Sequence, residues 1–394
     1  MRDFVAEAPD LHEAEPIPAA AKAEIEKLLL SGDLFRYTAP ENAPVAMLER
    51  EFADMMGSRY ALAVSSCSAA LFLSLKALGL PKGAKVLIPA FTFAAVPSAV
   101  VHAEMQPVLV ETGLNYRIDL ADFEQKIATA DDVLISHMRG HTSDMDAILQ
   151  LASAYNLPVI EDAAHSLGTL WNGRKIGTLG HVGCFSFQSY KMINAGEGGI
   201  LVTDDAELVA RAVIMSGAYE DNWKKHGDIA VAARKWQNKL PLYNLRMQNL
   251  SATVIRPQLA ELPRRVRDGL KNHDYVAAKL QASGFFDVPA PLAAETRAPD
   301  SIQFNLLEFS EEQARAFLAE AKARGIGAQV FGLSEDNARA FWNWQFIEGP
   351  TPALPLTRAM LAQACDVRLP VRLSRSELDY VSEALISAAQ AVKG

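Results

Sequence analysis

The chain has 394 residues, of which 50% are apolar and 22% charged, with a formal net charge of −9. This composition gives enough apolar surface for a large core, excludes a disordered chain, and has the wrong sign for a nucleic-acid partner. The length points to two domains rather than one, and Cys67, Cys184 and Cys365 are too few and too widely spaced for a disulfide framework or a zinc pattern. A reducing, cytoplasmic setting follows as the expectation. The acidic N-terminus, MRDFVAEAPDLHEAEP, has no apolar segment of the kind a signal peptide needs. The apolar stretches are interrupted by Lys76, Pro97 and His102, so no membrane span is expected.

Pro18 followed by AAAKAEIEKLLLSG predicts a first helix ending at Gly32, and APVAMLEREFADMMG a second. YALAVSS reads as a strand. SAALFLSLKALGL reads as a helix with Leu71, Phe72, Leu75 and Leu78 on one face. KVLIPAF, QPVLVE, DVLISHM and LPVIED are short apolar runs with helical stretches such as DMDAILQLASAYN between them. HVGCFSF and GGILVTDD add two more strands around Lys191. Strands of this kind, separated by helices, predict an α/β fold with a covered, mostly parallel central sheet.

Beyond about residue 250 the pattern changes. PQLAELPRRVRDGLKNHDYVAAKLQASG predicts one long charged helix, with Arg264, Arg265 and Arg267 on a solvated face. The strand SIQFNLLEF, the helix SEEQARAFLAEAKARG and a last helix from about Ser374 follow. The expected division is a large domain over 1–250, including an N-terminal helical segment, and a smaller α+β domain over 251–394. FGLSEDNARAFWNWQFIEGPTPALP reads as a loop-rich insert whose Trp342 and Trp344 serve packing.

Ligands of an α/β sheet collect at the carboxyl ends of its strands. There the chain places Ser65-Ser66-Cys67-Ser68, then Thr92 and Phe93, Gly140 and His141, Asp162 and His165, and Ser189, Tyr190 and Lys191. The first group opens a helix, whose amides and dipole suit a phosphate; an ordinary cap at Ser68 is the simpler alternative. A phosphate cradle, an aromatic ring, an acid, a histidine and a lysine on one rim match pyridoxal phosphate (PLP). A lysine joined to the cofactor aldehyde also explains a cation in apolar surroundings, since a buried ammonium must be paired, neutralised or used covalently. The two histidines of HMRGH, His137 and His141, lack a third ligand at telling spacing, so no metal is expected and a loop near the acceptor pocket is the reading.

The chain resembles the DegT/DnrJ/StrS family of fold-type-I PLP-dependent sugar aminotransferases from about residue 10 to its end. VIEDAAHSLGTLWNGRKIGTLGHVGCFSFQSYKMINAGEGGILVTDD carries the resemblance most specifically, with IPAFTFAAVPSAVVHAEMQPVLVE and YNLRMQNLSATV in support. The resemblance implies a Schiff base at Lys191, which then shuttles the proton, and a pyridine nitrogen paired with Asp162. It implies His165 near the ring hydroxyl, Phe93 stacked on the ring, and Cys67, Ser68 and Ser186 at the phosphate. Asn244 is expected to reach the phosphate across a homodimer interface, and Glu197 to hold the glycine turn. The implied reaction moves an amino group from glutamate or glutamine to a ketone of a sugar or cyclitol. There are departures. Ser65-Ser66-Cys67-Ser68 replaces the usual Ser-Asn-Gly-Thr, and Met192 stands where many relatives have Asn. Gln188 and Met192-Ile193 look more like relatives acting on cyclitols or aminohydroxybenzoate precursors. A dehydratase of the same family is disfavoured by the presence of Lys191, and a non-catalytic regulator by Lys191, Asp162 and Ser186. A partner-binding module built on the tryptophan-rich insert is the third alternative.

Overall fold

A computed structural model describes residues 8–39 and 41–394; the MRDFVAE part of the N-terminal reading lies outside the described residues. The apolar runs form strands β1 (Tyr60–Val64), β2 (Lys85–Pro89), β3 (Gln106–Val110), β4 (Asp132–Ser136) and β5 (Val159–Asp162). There follow β6 (Leu170–Trp171), β7 (Arg174–Lys175), β8 (Val182–Ser186) and β9 (Gly199–Thr203). Seven of these make one sheet in the order β1-β9-β8-β5-β4-β2-β3. β3, β2, β4, β5 and β8 pair in parallel, while β9 runs antiparallel to β8 and β1. Every residue of β4, β5, β8 and β9 is buried, because helices and packed loops cover both faces. Separate apolar clusters fill the two sides.

Helix α1 (Ala20–Ser31), α2 (Pro44–Met56) and α3 (Cys67–Leu78) each end on a glycine, Gly32, Gly57 and Gly79, in the left-handed conformation. The cap of α3 is Ser66, whose side chain accepts from the Ala69 amide, rather than Ser68. α3 also buries more than the expected face: Ala70 and Leu73 are enclosed with Leu71 and Leu75, because the helix is sandwiched between the sheet and the helix Ala206–Gly217.

A second, antiparallel sheet is made of β10 (Phe286–Asp287), β12 (Ser301–Leu306), β14 (Ala364–Arg368) and β13 (Gln329–Val330), in that order. β11 (Glu295–Thr296) instead joins β6, which pairs with β7. Helices Glu311–Ala323 and Arg375–Lys393 cover the second sheet, each opened by a capping box, at Ser310 and Ser374.

Two expectations are corrected here. The long charged helix is two helices, Asn249–Leu259 and Leu262–Ala282, with the break just before Pro263. Proline has no amide hydrogen and its ring crowds the carbonyl four residues back, so it starts the second helix instead of continuing the first. Arg265 is not on a solvated face: it is 1% exposed, and its Nη1 donates to the Met192 carbonyl and to Gln258 Oε1. The insert after Phe331 holds turns and one 3₁₀ turn, Phe341–Asn343. Trp344 is buried there, with Nε1 donating to the Ala338 carbonyl.

Candidate active site

The register of the parallel strands sets the site. Ser136 at the end of β4 lies opposite Asp162 at the end of β5, and Asp162 lies opposite Cys184 in β8. Beyond these carboxyl ends a cavity of about 780 Å³ opens. Cys67, Ser68, Phe93, Asp162, His165, Ser186 and Lys191 all line it. Asn244 does not; it lies exposed on the segment before helix Asn249–Leu259.

Lys191 sits in the loop between β8 and β9, and burial explains how that loop holds it. Met192 and Ile193 point into the core, and the Lys191 amide donates to the Gln188 carbonyl. Arg265 grips the Met192 carbonyl, and Gln258 exchanges hydrogen bonds with both ends of the Asn194 backbone. Lys191 Nζ lies 2.8 Å from His165 Nε2 and 3.2 Å from Nδ1. Burial is the main cause that brings its pKa from 10.5 down to about 8, with Arg139 adding to the effect. Burial, then Lys191 and Arg139, hold the His165 imidazole well below its usual range, so it is neutral at pH 7.

Asp162 accepts from Ser136 Oγ at 2.9 Å and from the Ala164 amide at 3.1 Å. Cys67 Sγ lies 3.8 Å from Asp162 Oδ1; burial and that carboxylate push the thiol pKa well up, so the thiol stays protonated and donates. The adjacent Glu161 faces the other way. It accepts from the amides of Gly177, Leu179 and Gly180 and pairs with His137. His141 pairs with Gln303 instead, at 3.0 Å. The two histidines of HMRGH therefore serve separate buried contacts, while Met138 and Arg139 between them reach the cavity. The Arg139 backbone is left-handed, with φ 54°, which is uncommon for a side chain of its size.

The start of α3 is held close to β9. A Cβ on Gly199 would sit 2.2 Å from the Ser66 carbonyl carbon, so this approach requires glycine. Phe93 is 46% exposed, a large apolar ring open to the cavity. The wall contributed by the second sheet and the insert carries Gln329, Arg339, Asp366 and Arg368. Sequence reading missed these four, as it missed Arg139, and no motif or spacing links them. Glu197, expected to hold the glycine turn, is exposed and lines the cavity.

Residues 20–386 match the family described as the DegT/DnrJ/EryC1/StrS aminotransferase family. The spore coat polysaccharide biosynthesis protein SpsC of Bacillus subtilis (strain 168) is 32% identical over 69% of this chain and 69% of its own length. The 3-amino-5-hydroxybenzoate synthase of Amycolatopsis mediterranei (strain S699) is 30% identical over 76% of each. A crystal structure of a 3-amino-5-hydroxybenzoic acid synthase superimposes with a TM-score of 0.85 at 24% identity, covering 98% of this chain and 100% of that one. Among the described residues no helix is long and apolar enough to cross a membrane. The chain belongs to the DegT/DnrJ/EryC1/StrS aminotransferase family and is a PLP-dependent enzyme of fold type I.

Proposed function

We propose that this enzyme transfers an amino group from glutamate or glutamine to a ketone of a sugar or cyclitol, with PLP seated around Lys191. One observation carries the reading. A lysine amine with its pKa lowered to about 8 shares a cavity with a strand-end carboxylate, an open aromatic ring and a helix start. The residues fit the cofactor. The amides at the start of α3 and the hydroxyls of Ser68 and Ser186 suit the phosphate. Phe93 offers a face for the ring, and Asp162, fixed by Ser136 and Ala164, offers a negative charge for a protonated ring nitrogen. When bound, PLP supplies a carbonyl to carry the amino group and a ring that accepts electrons.

The chain's own part is binding and proton handling. Lys191 would attach to the carbonyl and, once displaced by substrate, would take a proton from the donor carbon and pass it to the cofactor carbon that carried the carbonyl, for which a pKa of about 8 is well matched. Neutral His165 would keep the amine in place. The Cys67 side chain faces Asp162, so its contribution to the phosphate would come from its backbone amide. Asn244, exposed outside the cavity, would reach the phosphate of the other subunit in a homodimer. Borohydride treatment of the PLP-loaded protein tests the assignment. The expected result is a label fixed on Lys191 and a visible band lost in Lys191→Ala; a band that persists in that variant sinks it. Conversion to pyridoxamine phosphate by glutamate or glutamine without any acceptor identifies the donor.

A further inference from the structure

Besides the cofactor cavity, Lys191 lines a second, much smaller one of about 20 Å³. That is room for about one water molecule, so no substrate enters it. The helix Leu262–Ala282 brings its walls together. Arg265 on that helix grips the Met192 carbonyl and so fixes the loop next to Lys191. Gly269, four residues on and therefore on the same face, meets the segment that leads into β12: a Cβ there would lie 2.4 Å from the Pro299 carbonyl oxygen. The next residue in that segment, Asp300, lines the small cavity together with Lys191. Its backbone carbonyl accepts from the Leu369 amide, and its Oδ1 accepts from Ser301 Oγ at 3.1 Å. One helix face thus holds both the lysine loop and this carboxylate in place.

The other acids of the small cavity are engaged elsewhere. Glu13 pairs with Arg372 at 2.7 Å, and Glu15 acts on Arg265. Asp300 acts on Lys191 and on Arg368. On its cofactor side Lys191 faces neutral His165, with Arg139, Asp162 and Cys67 around it. Burial weakens the hold of the amine on its proton most; Asp300 is the next influence and opposes it, ahead of Arg139, Asp162 and Cys67. With PLP seated, the Asp162 charge would be taken up by the ring nitrogen, which leaves Asp300 as the anion for the amine.

The geometry points to Asp300 as a positioning residue, whose carboxylate steadies the ammonium that Lys191 becomes while it carries a proton from the donor carbon to the cofactor carbon. The proton leaves one carbon, sits on Nζ and ends on the other, so no further acid or base is consumed. During that passage a cation stands in a buried place, and a fixed anion behind it offsets part of the cost of desolvation. The inference rests on the aminotransferase reading for what Lys191 carries. It gives the segment before β12 a part in the chemistry although Asp300 touches neither substrate nor cofactor.

Titration of the amine tests this in protein free of PLP. In protein made with 13C-labelled lysine, the NMR signal of Lys191 is the one missing from Lys191→Met. We expect its midpoint near 8 in the unaltered protein. In Asp300→Asn it should fall by about one pH unit, the smaller end of the effect of a nearby opposite charge. Asp300→Glu, which keeps the charge, should restore most of that difference. The pH profile of the donor half-reaction, followed by stopped-flow absorbance of PLP-loaded protein at saturating glutamate or glutamine, gives a second reading. The rate should rise with pH as Lys191 loses its proton, and Asp300→Asn should move that rise to lower pH by the same amount. A midpoint that is unmoved or raised in Asp300→Asn, or that falls as far in Asp300→Glu, overturns the inference. So does a midpoint that falls while the rate profile stays where it was, since Asp300 would then act only on the resting amine. Titration needs no turnover, so a lowered midpoint in protein that reacts with neither donor would sink the proposed function and leave the hold of Asp300 on the amine standing.

Discussion

Nζ of Lys191 lies 2.8 Å from Nε2 of His165, and burial keeps that imidazole neutral, so it can accept a hydrogen bond from the amine rather than repel it. This arrangement predicts different effects for the two residues. Lys191→Ala should abolish the donor half-reaction. His165→Ala should retain bound PLP and slow that half-reaction by about a hundredfold, the lower end for a group assisting proton transfer. Stopped-flow absorbance with glutamate or glutamine checks both; full activity in Lys191→Ala removes the lysine from the chemistry.

Asp162 and its hydroxyl neighbour should show a graded response. Asp162→Asn removes the charge and should slow the donor half-reaction by about 10²–10³-fold, as loss of a preorganised electrostatic partner does elsewhere. Ser136→Ala leaves the charge but removes the 2.9 Å donor, and should slow it only by about tenfold or less. Equal rates for Asp162→Asn and the unaltered enzyme at saturating PLP would contradict the pyridine-nitrogen role.

Burial of the Lys191 amine predicts a pH-dependent stability. Its pKa falls from 10.5 to about 8 in the fold, worth roughly 3 kcal/mol against folding when the amine is charged. Between those two values the unfolded chain binds more protons, so this group makes stability rise with pH from about 8 upward. Lys191→Met should therefore be more stable than the unaltered protein, both free of PLP, at pH 7. Urea denaturation should show the gap closing toward pH 10.5. A gap that does not change with pH refutes the buried-cation account.

Glu161, next to Asp162 in sequence, should behave as a structural group. Burial alone would raise its pKa, but His137 and the amides of Gly180 and Gly177 outweigh it and hold the carboxyl below 4.5. Its contribution is then present above the unfolded value and is lost as pH falls below about 4.5. Glu161→Gln should cost about 3–5 kcal/mol near neutral pH, the usual loss when one partner of a buried charged network is removed. Chemical denaturation should show the difference from the unaltered protein shrinking in acid.

Gly199→Ala should weaken PLP binding without touching a reacting group. The added methyl carbon would lie 2.4 Å from the Cys67 amide nitrogen, so the start of α3 must shift. Overpacking of this kind costs about 1–3 kcal/mol. Equilibrium dialysis with PLP should show at least part of that cost as lost affinity, whereas the same affinity in both proteins would separate this glycine from the phosphate cradle.

The strand ends were legible because periodicity and chain order fix them. A run such as LPVIED can be buried in a parallel sheet only with its carboxyl end at the rim, so Asp162 had to face ligand space. The register then brought Ser136 to it, a pairing that no local pattern encodes. The Pro263 break was present in the sequence but was read through, because the charged helical periodicity continues on both sides of it. Arg265 was misread for a related reason: its neighbours Arg264 and Arg267 are solvated, and one helical position separates a surface cation from one that clamps the Met192 carbonyl.

The sequence by itself determined the α/β class, the helix end at Gly32 and the strand ends after which Phe93, Asp162, His165 and Lys191 fall, since each depends on local periodicity. Tertiary structure alone decided the charge of the opposite wall. Arg139 and Arg339 are two hundred positions apart and meet in one cavity because the second sheet and its insert close over the strand ends. Whether an arginine there is neutralised depends on which carboxylates come within a few ångströms in space, and sequence spacing carries no information about that distance.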